Sequence, residues 1–297
     1  MASSQTVRAS AMKRFLGSVA LIFLVILGLQ WARSVPLDEP SQRDGLRIIS
    51  LAPNLTEILF ELGLGDQIVG VTNYCTYPPE ALEKEKVGGF INPNLEKIVS
   101  LKPDLVVAEH WPSSKTVPRL REFGLQVTEV ISPRSFEEIY QVIRGVGETV
   151  NRSQGAEELI HRMKKRLEAI EAKASRFDHS PSVYVEIDLP SWTIGKQSFI
   201  TEALLLCGAH NLFEDIDKRS FQASKEMIVD RNPDVILAYT VAAPAISQRL
   251  GWDDIKAVQN GRIIDDLERS LLSHGNHRLI EGMEQLQARI LDMMETP

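Results

Sequence analysis

The sequence is short of cysteine, tryptophan and aromatic residues generally: two cysteines, four tryptophans, and aromatics at 6% of the chain. Two cysteines cannot build a disulfide scaffold, so stability has to come from an aliphatic core. An excess of positive charge is missing too. The formal net charge is −7, and because residues 1–34 hold four basic groups (Arg8, Lys13, Arg14, Arg33) and no acid, residues 35–297 carry −11. A phosphate backbone would repel that body, which excludes nucleic acid as the expected partner. There is no G-x-G-x-x-G after the first strand, no G-x-x-x-x-G-K-[ST] and no G-x-S-x-G, so nucleotide chemistry and serine hydrolysis lack their usual supports. Carboxylates are scattered, with nothing to mark an acid–base couple. A non-enzymatic protein is expected, with a small exported α/β enzyme as the alternative class.

What remains is ordinary globular material, 43% apolar and 25% charged, and 297 residues suggest two domains at roughly 150 residues each. The N-terminus stands apart. Lys13-Arg14 precedes an apolar run from Phe15 to Leu29, which is short for a membrane span of about 20 residues and suits the h-region of an export signal. Ala32 and Ser34 offer a cleavage site before Val35, and an uncleaved signal would instead leave the protein tethered to the membrane. Residues 35–45 read as a polar linker. Cys75 and Cys207 fall in different halves, where a bridge would staple two domains together, so two free thiols are expected.

From Leu46 onward short β-branched runs alternate with helical patterns, the signature of parallel α/β units. Strands are expected at 47–51, 68–71, 105–108, 126–131, 183–187, 235–239 and 263–264, and helices at 53–62, 94–102, 116–123, 135–150, 198–207, 224–231, 255–258 and 276–294. Between the halves, residues 153–177 form a long charged helix with apolar positions at Leu159, Ile160, Met163, Leu167 and Ile170. The division is therefore an N-terminal lobe at 46–152, a connecting helix at 153–177 and a C-terminal lobe at 178–297, two Rossmann-like α/β lobes with parallel sheets.

The halves also repeat each other. Asn94-Leu-Glu96 through Pro103-Asp104 to Ala108 aligns without a gap on Ser224-Lys-Glu226 through Pro233-Asp234 to Ala238, at a constant offset of 130. Part of this is generic punctuation: a capping residue, a first-turn acid and a Pro-Asp helix stop. The stronger reading is that the two halves are pseudo-equivalent, with Glu96 and Glu226 at matching surface points facing a two-fold-symmetric partner.

Arg47-Ile-Ile-Ser-Leu-Ala-Pro-Asn-Leu-Thr-Glu57, Val69-Gly-Val-Thr-Asn-Tyr-Cys-Thr-Tyr-Pro-Pro79, Val87-Gly-Gly-Phe90, Asn94-Leu-Glu96-Lys-Ile98 and Leu205-Leu-Cys-Gly-Ala-His-Asn-Leu-Phe213 resemble the vitamin B12-binding periplasmic proteins of the Fe/B12 periplasmic-binding family, strongly in the first half and less after Phe213. The resemblance implies a monomeric receptor of an ABC importer, with two α/β lobes joined by one rigid helix and a corrinoid held in the cleft. Its partners would be a permease and ATPase complex in the inner membrane, docked through Glu96 and Glu226. Cobalamin would be a transported ligand, with no prosthetic group; ferric siderophore or haem is the runner-up.

A corrinoid is a broad, partly apolar macrocycle rimmed by amides, so its cleft needs aromatic faces and hydrogen-bonding loops. Tyr74, Cys75 and Tyr77 sit after a strand, Phe90 follows Gly88-Gly89, His110-Trp111 follows the buried 105–108 strand, and Trp192 follows the 183–187 strand. Ligands bind at such strand ends in open α/β sheets. These residues, with Phe221 where the family tends to place a tryptophan, are the expected ligand contacts. Near the last strand the family's acidic and aromatic loop is replaced by Asp265-Asp266-Leu267-Glu268. No zinc-type cluster is present and no metal site is expected. His110 is placed to reach a ligand's metal axially, and His274 and His277 are close enough in sequence to share an ion, but surface or capping roles are the better reading for all three.

Overall fold

Short runs that are apolar on both faces mark the strands. In the computed structural model, which describes residues 45–175, 177 and 179–295, Ile48–Ser50 (β1), Ile68–Val71 (β2), Leu105–Glu109 (β3) and Val127–Val130 (β4) form a parallel sheet in the order β2-β1-β3-β4. Ser182–Glu186 (β5), Trp192–Ile194 (β6), His210–Asn211 (β7), Ser220–Gln222 (β8), Val235–Ala238 (β9) and Ile263–Ile264 (β10) belong to the second half. Of these, β5, β7, β9 and β10 make a second parallel sheet, in the order β10-β9-β5-β7, while β6 and β8 pair as a small antiparallel ribbon. Both parallel sheets have their first strand in the middle, and helices bury both faces, which is why β1, β9 and most of β3 and β5 read as unbroken buried runs. The expected export signal at 1–34 and nearly all of the linker at 35–45 lie outside the described residues.

The helices of the first lobe are Pro53–Glu61 (α1), Leu95–Ser100 (α2), Thr116–Glu122 (α3) and Phe136–Thr149 (α4). Ser153–Ala174 (α5) joins the lobes, and Phe199–Leu206 (α6), Lys225–Arg231 (α7), Ala243–Ser247 (α8), Lys256–Gln259 (α9), Arg269–Ser273 (α10) and Leu279–Glu295 (α11) complete the second lobe. Among the described residues no helix is long and apolar enough to cross a membrane. The expected start of the last helix at 276 is corrected to Leu279, because the Asn276 side chain accepts from the Arg278 N–H at 2.8 Å and holds a turn there. The ribbon β6-β8 and the helices α8 and α10 were not expected, being three to five residues long and too short to show a period.

The offset of 130 extends from sequence into geometry. Asn94 caps α2 by accepting from the Lys97 N–H, and Ser224 caps α7 by accepting from the Met227 N–H. Each segment then turns through a left-handed residue, Lys102 at φ 47° and Asn232 at φ 48°. Asp104 accepts from the backbone N–H of Arg47 at 2.8 Å just before β1, and Asp234 does the same with Ser182 at 2.9 Å at the start of β5. A cap, a turn and a carboxylate that ties the next strand to the first thus recur in both lobes at one spacing.

The two cysteines are free thiols and both are buried. Cys75 is hydrogen-bonded at 3.1 Å to the hydroxyls of Thr56 and Thr72, and burial pushes its thiol up. Burial alone pushes Cys207 up to about 12.

α5 is braced on both sides. Arg162 pairs with Glu61 of α1 at 2.5 Å, Arg166 with Glu284 of α11 at 2.7 Å, and the buried Gln287 amide of α11 donates to the Ile170 carbonyl at 2.8 Å. Exposed ion pairs add little stability, but the apolar stripe Ala156, Leu159, Ile160, Met163 and Ile170 is buried along the middle of the helix. Bending such a helix stretches consecutive backbone hydrogen bonds. Small-angle scattering is therefore expected to show nearly the same radius of gyration with and without ligand; a large drop on loading would contradict a stiff connector.

Candidate ligand-binding site

A cavity of about 840 Å³ lies between the lobes and falls within the range of small-molecule and cofactor sites. The first lobe contributes Pro53 and Asn54 at the start of α1, Tyr74 and Thr76 from the loop after β2, Gly89 to Asn92, Glu109 at the end of β3, and Ser132-Pro133 after β4. These follow the C-terminal ends of parallel strands, where loops can hold side chains that the sheet itself has no room for. Phe199 of α6, Arg219, Arg269-Ser270 and Ser273 to Gly275 line the other side.

Polar contacts of three residues, Arg219, Glu202 and Glu57, join the two lobes at this space. Arg219, just before β8, donates to the Ser132 hydroxyl at 2.9 Å and to the Pro133 carbonyl at 3.1 Å, and its burial pulls the guanidinium below its ordinary value. Glu202 of α6 accepts from the Phe136 N–H at the start of α4 at 2.8 Å. Glu57 of α1 accepts from His274 Nδ1 at 2.8 Å and from the Asn276 amide at 2.7 Å, with Arg278 at 3.5 Å. Gly275 sits where the lobes touch: a Cβ there would stand 2.6 Å from Pro133 and 3.3 Å from Phe199, so no larger residue fits without moving the walls.

A side recess shares Phe199, Arg219, Arg269 and Ser273 with the cavity and continues to Ile187, Ile194, Ser220 and Tyr239. The Tyr239 hydroxyl has no hydrogen-bond partner among the described residues, and burial pushes it up. The second-lobe wall is cationic through Arg219 and Arg269 and also carries Phe199, while the first-lobe wall sets Tyr74 and Phe90 beside the polar Asn54, Thr76 and Glu109.

The expected contacts divide accordingly. Tyr74 and Phe90 line the cavity, and Trp111 packs edge-on against Phe90 with ring centroids 5.8 Å apart, in an adjoining depression. Trp192 is half-exposed on β6, whose far end Ile194 lines the recess. Cys75 is corrected: its side chain is turned into the core and offers the cleft nothing. Tyr77 is also displaced, lying under the Arg278 guanidinium at 3.4 Å and facing a separate surface depression. Phe221 packs edge-on against Phe213 at 5.3 Å and is absent from the cavity lining, while its neighbour Ser220 faces the recess. His110 pairs through Nδ1 with Glu129 at 2.8 Å, outside the lining. Glu96 and Glu226 are both exposed, and hydrogen bonds from the Glu226 backbone and the Ser224 hydroxyl hold the Glu226 carboxyl below its usual range.

Sequence reasoning missed Asn54, Phe199, Arg219 and Arg269. Arg219 adjoins the noted Ser220-Phe221 and Arg269 adjoins the noted acidic loop, but nothing local says that either guanidinium turns to the cleft.

Two parallel α/β lobes on one connecting helix, with a ligand-sized cavity between strand-end loops, define a two-lobed solute-binding protein. The chain belongs to the Periplasmic binding protein family, which it matches over residues 48–269. It is similar to an uncharacterized ABC transporter substrate-binding lipoprotein of Bacillus subtilis, 38% identical over 86% of this chain and 85% of that one. It is also similar to a vitamin B12-binding protein of Vibrio cholerae, 29% identical over 90% of this chain and 94% of that one. A solved periplasmic heme-binding protein from Roseiflexus sp. RS-1 superposes with a TM-score of 0.77 at 25% identity, covering 84% of this chain and 100% of that one. The protein is a substrate-binding protein of an ABC transporter.

Proposed function

We propose that the protein captures cobalamin or a related corrinoid between its lobes, outside the cytoplasm, and delivers it to an ABC permease with its ATPase. One observation carries this reading: a cavity of about 840 Å³ whose lining combines the aromatic side chains of Tyr74, Phe90 and Phe199 with polar groups from both lobes. A macrocycle with an apolar face and an amide rim matches that combination. Similarity to the Vibrio cholerae vitamin B12-binding protein along nearly the whole of both chains supports it. A second reading, haem or a ferric siderophore, is favoured by Arg219 and Arg269, whose positive charge suits an anionic ligand.

Titration with cyanocobalamin followed by visible absorbance tests the proposal. Tyr74→Ala and Phe90→Ala are each expected to weaken binding by about 1–2 kcal/mol, roughly 5- to 30-fold, because each removes an aromatic face from the wall. Trp111→Ala is expected to cost less, acting only by releasing Phe90. Cyanocobalamin binding that is untouched by both Tyr74→Ala and Phe90→Ala would place the ligand elsewhere. Delivery is assigned to Glu96 and Glu226, one exposed carboxylate on each lobe.

A further inference from the structure

We infer that His274 is an axial ligand for the metal of the captured macrocycle, held in place by the Glu57 carboxylate; this rests on the reading of the cavity as a site for a metal-centred ring. The histidine lines the cavity and belongs to the second lobe, whereas the carboxylate that fixes it comes from α1 of the first. Glu57 is almost wholly buried, and the groups around it (His274 Nδ1, the Asn276 amide and the Arg278 guanidinium) can all act as donors. A carboxylate among donors accepts, so Nδ1 carries the hydrogen. The imidazole position left for coordination is Nε2, on the other edge of the ring, which makes no hydrogen bond among the described residues.

A histidine whose one nitrogen donates to a carboxylate while the other is left open is the arrangement by which proteins orient imidazoles for metals: the carboxylate fixes the tautomer, aims the ring and raises the basicity of the free nitrogen. Two further features support it. Gly275 lets the backbone next to His274 come against Pro133 and Phe199, so the residue is wedged between the lobes. His277, three residues on, does not share this role, since it is absent from the cavity lining and borders a separate depression with Glu61 and Tyr77, its ring 3.8 Å from Glu61. His110, paired with Glu129, is outside the cavity lining.

The step is a ligand exchange without redox change: the Nε2 lone pair forms a bond to Co(III) or Fe(III), the metal–water bond on that face breaks, and the water leaves with its own electron pair. The ligand class is then a planar metal macrocycle with an exchangeable axial position, either a corrinoid whose lower base is absent or displaced, or a haem.

Diaquacobinamide and haemin are the probes, with cyanocobalamin, whose two axial positions are filled, as the comparison. Wild-type protein is expected to shift the visible spectrum of diaquacobinamide or haemin to that of a complex with one nitrogen ligand. His274→Ala should bind the same probe with the spectrum of the aqua form and about 10- to 100-fold more weakly, and adding imidazole to His274→Gly should restore the nitrogen-ligated spectrum. Glu57→Gln, checked for folding by circular dichroism, should weaken the same complex by about 10- to 100-fold and move its spectrum toward the aqua form. Binding of a probe with an aqua-type spectrum, or a nitrogen-ligated spectrum that survives in His274→Ala, overturns this inference and leaves the macrocycle reading intact. Failure of all three macrocycles to bind overturns both.

Discussion

Changing Glu96 and Glu226 together to arginine is expected to bring transport down to background while ligand binding by the isolated protein stays nearly unchanged. The two carboxylates are equivalent in a physical sense: each is the second residue of a short helix capped by Asn94 or Ser224, and each helix is followed by a left-handed residue before a strand tied back by Asp104 or Asp234. A pair placed this way suits a permease built from two like subunits, each presenting basic groups to one lobe. Helix N-termini favour ionised carboxylates, and the Glu226 carboxyl is held below its usual range by local hydrogen bonds, so its charge persists into mildly acidic solution. Exposed charges steer encounter and fix register more than they add affinity, and two reversals replace attraction by repulsion at both contacts. Single reversals should be milder and more sensitive to salt. Uptake assays in cells, paired with titration of the purified variant, separate the outcomes: normal transport, or ligand affinity lost along with transport, would remove the docking role.

Glu186→Ala is expected to destabilise the protein by about 3–5 kcal/mol, the cost of stripping one partner from a buried ion pair. Glu186 ends β5 with no exposed surface, and Arg249 grips it through two hydrogen bonds of 2.5 and 2.6 Å. The Tyr184 hydroxyl donates to the same carboxylate at 3.1 Å, and the Arg249 guanidinium also lies 4.5 Å over the Trp252 ring. The hydrogen bonds it donates to Glu186 raise the Arg249 guanidinium above its ordinary value, and burial followed by the Glu186 charge raises the Tyr184 hydroxyl. Removing the carboxylate leaves the guanidinium without its counter-charge. Urea denaturation measures the loss. The double variant Glu186→Ala/Arg249→Ala should lose less than the sum of the two single changes, because the second change removes the stranded charge. A loss below about 1 kcal/mol, the typical exposed-pair value, would show that the pair is solvated after all.

The fold was largely legible in the sequence because its signals were strong. Buried runs such as 105–108 and 235–238 have no alternation to confuse with half-exposed strands, and the apolar stripe from Ala156 to Ile170 keeps its period for about four turns. The offset of 130 exposed the equivalence of the lobes because caps and helix stops are local chemistry that survives as letters. The site was legible only in part. Tyr74 and Phe90 were found because strand-end loops project into the cleft as a class, but the direction of a particular side chain is set by packing across lobes. Cys75, one residue from Tyr74, turns to Thr56 of α1, and Tyr77 is captured by Arg278, which is 201 residues away in the chain. Contacts at that separation leave no periodic trace. Arg219 and the His274–Glu57 pair were hidden for the same reason, since Arg219 is held by Ser132 and Pro133 and His274 by Glu57, all far away in the chain.

The central claim is tested most directly by calorimetric titration of the protein with cyanocobalamin, haemin and a ferric catecholate under one set of conditions. The expected result is one-to-one binding of the corrinoid, tighter than either iron ligand and weakened by Phe90→Ala. Binding of the ferric catecholate with no heat from the corrinoid would contradict it.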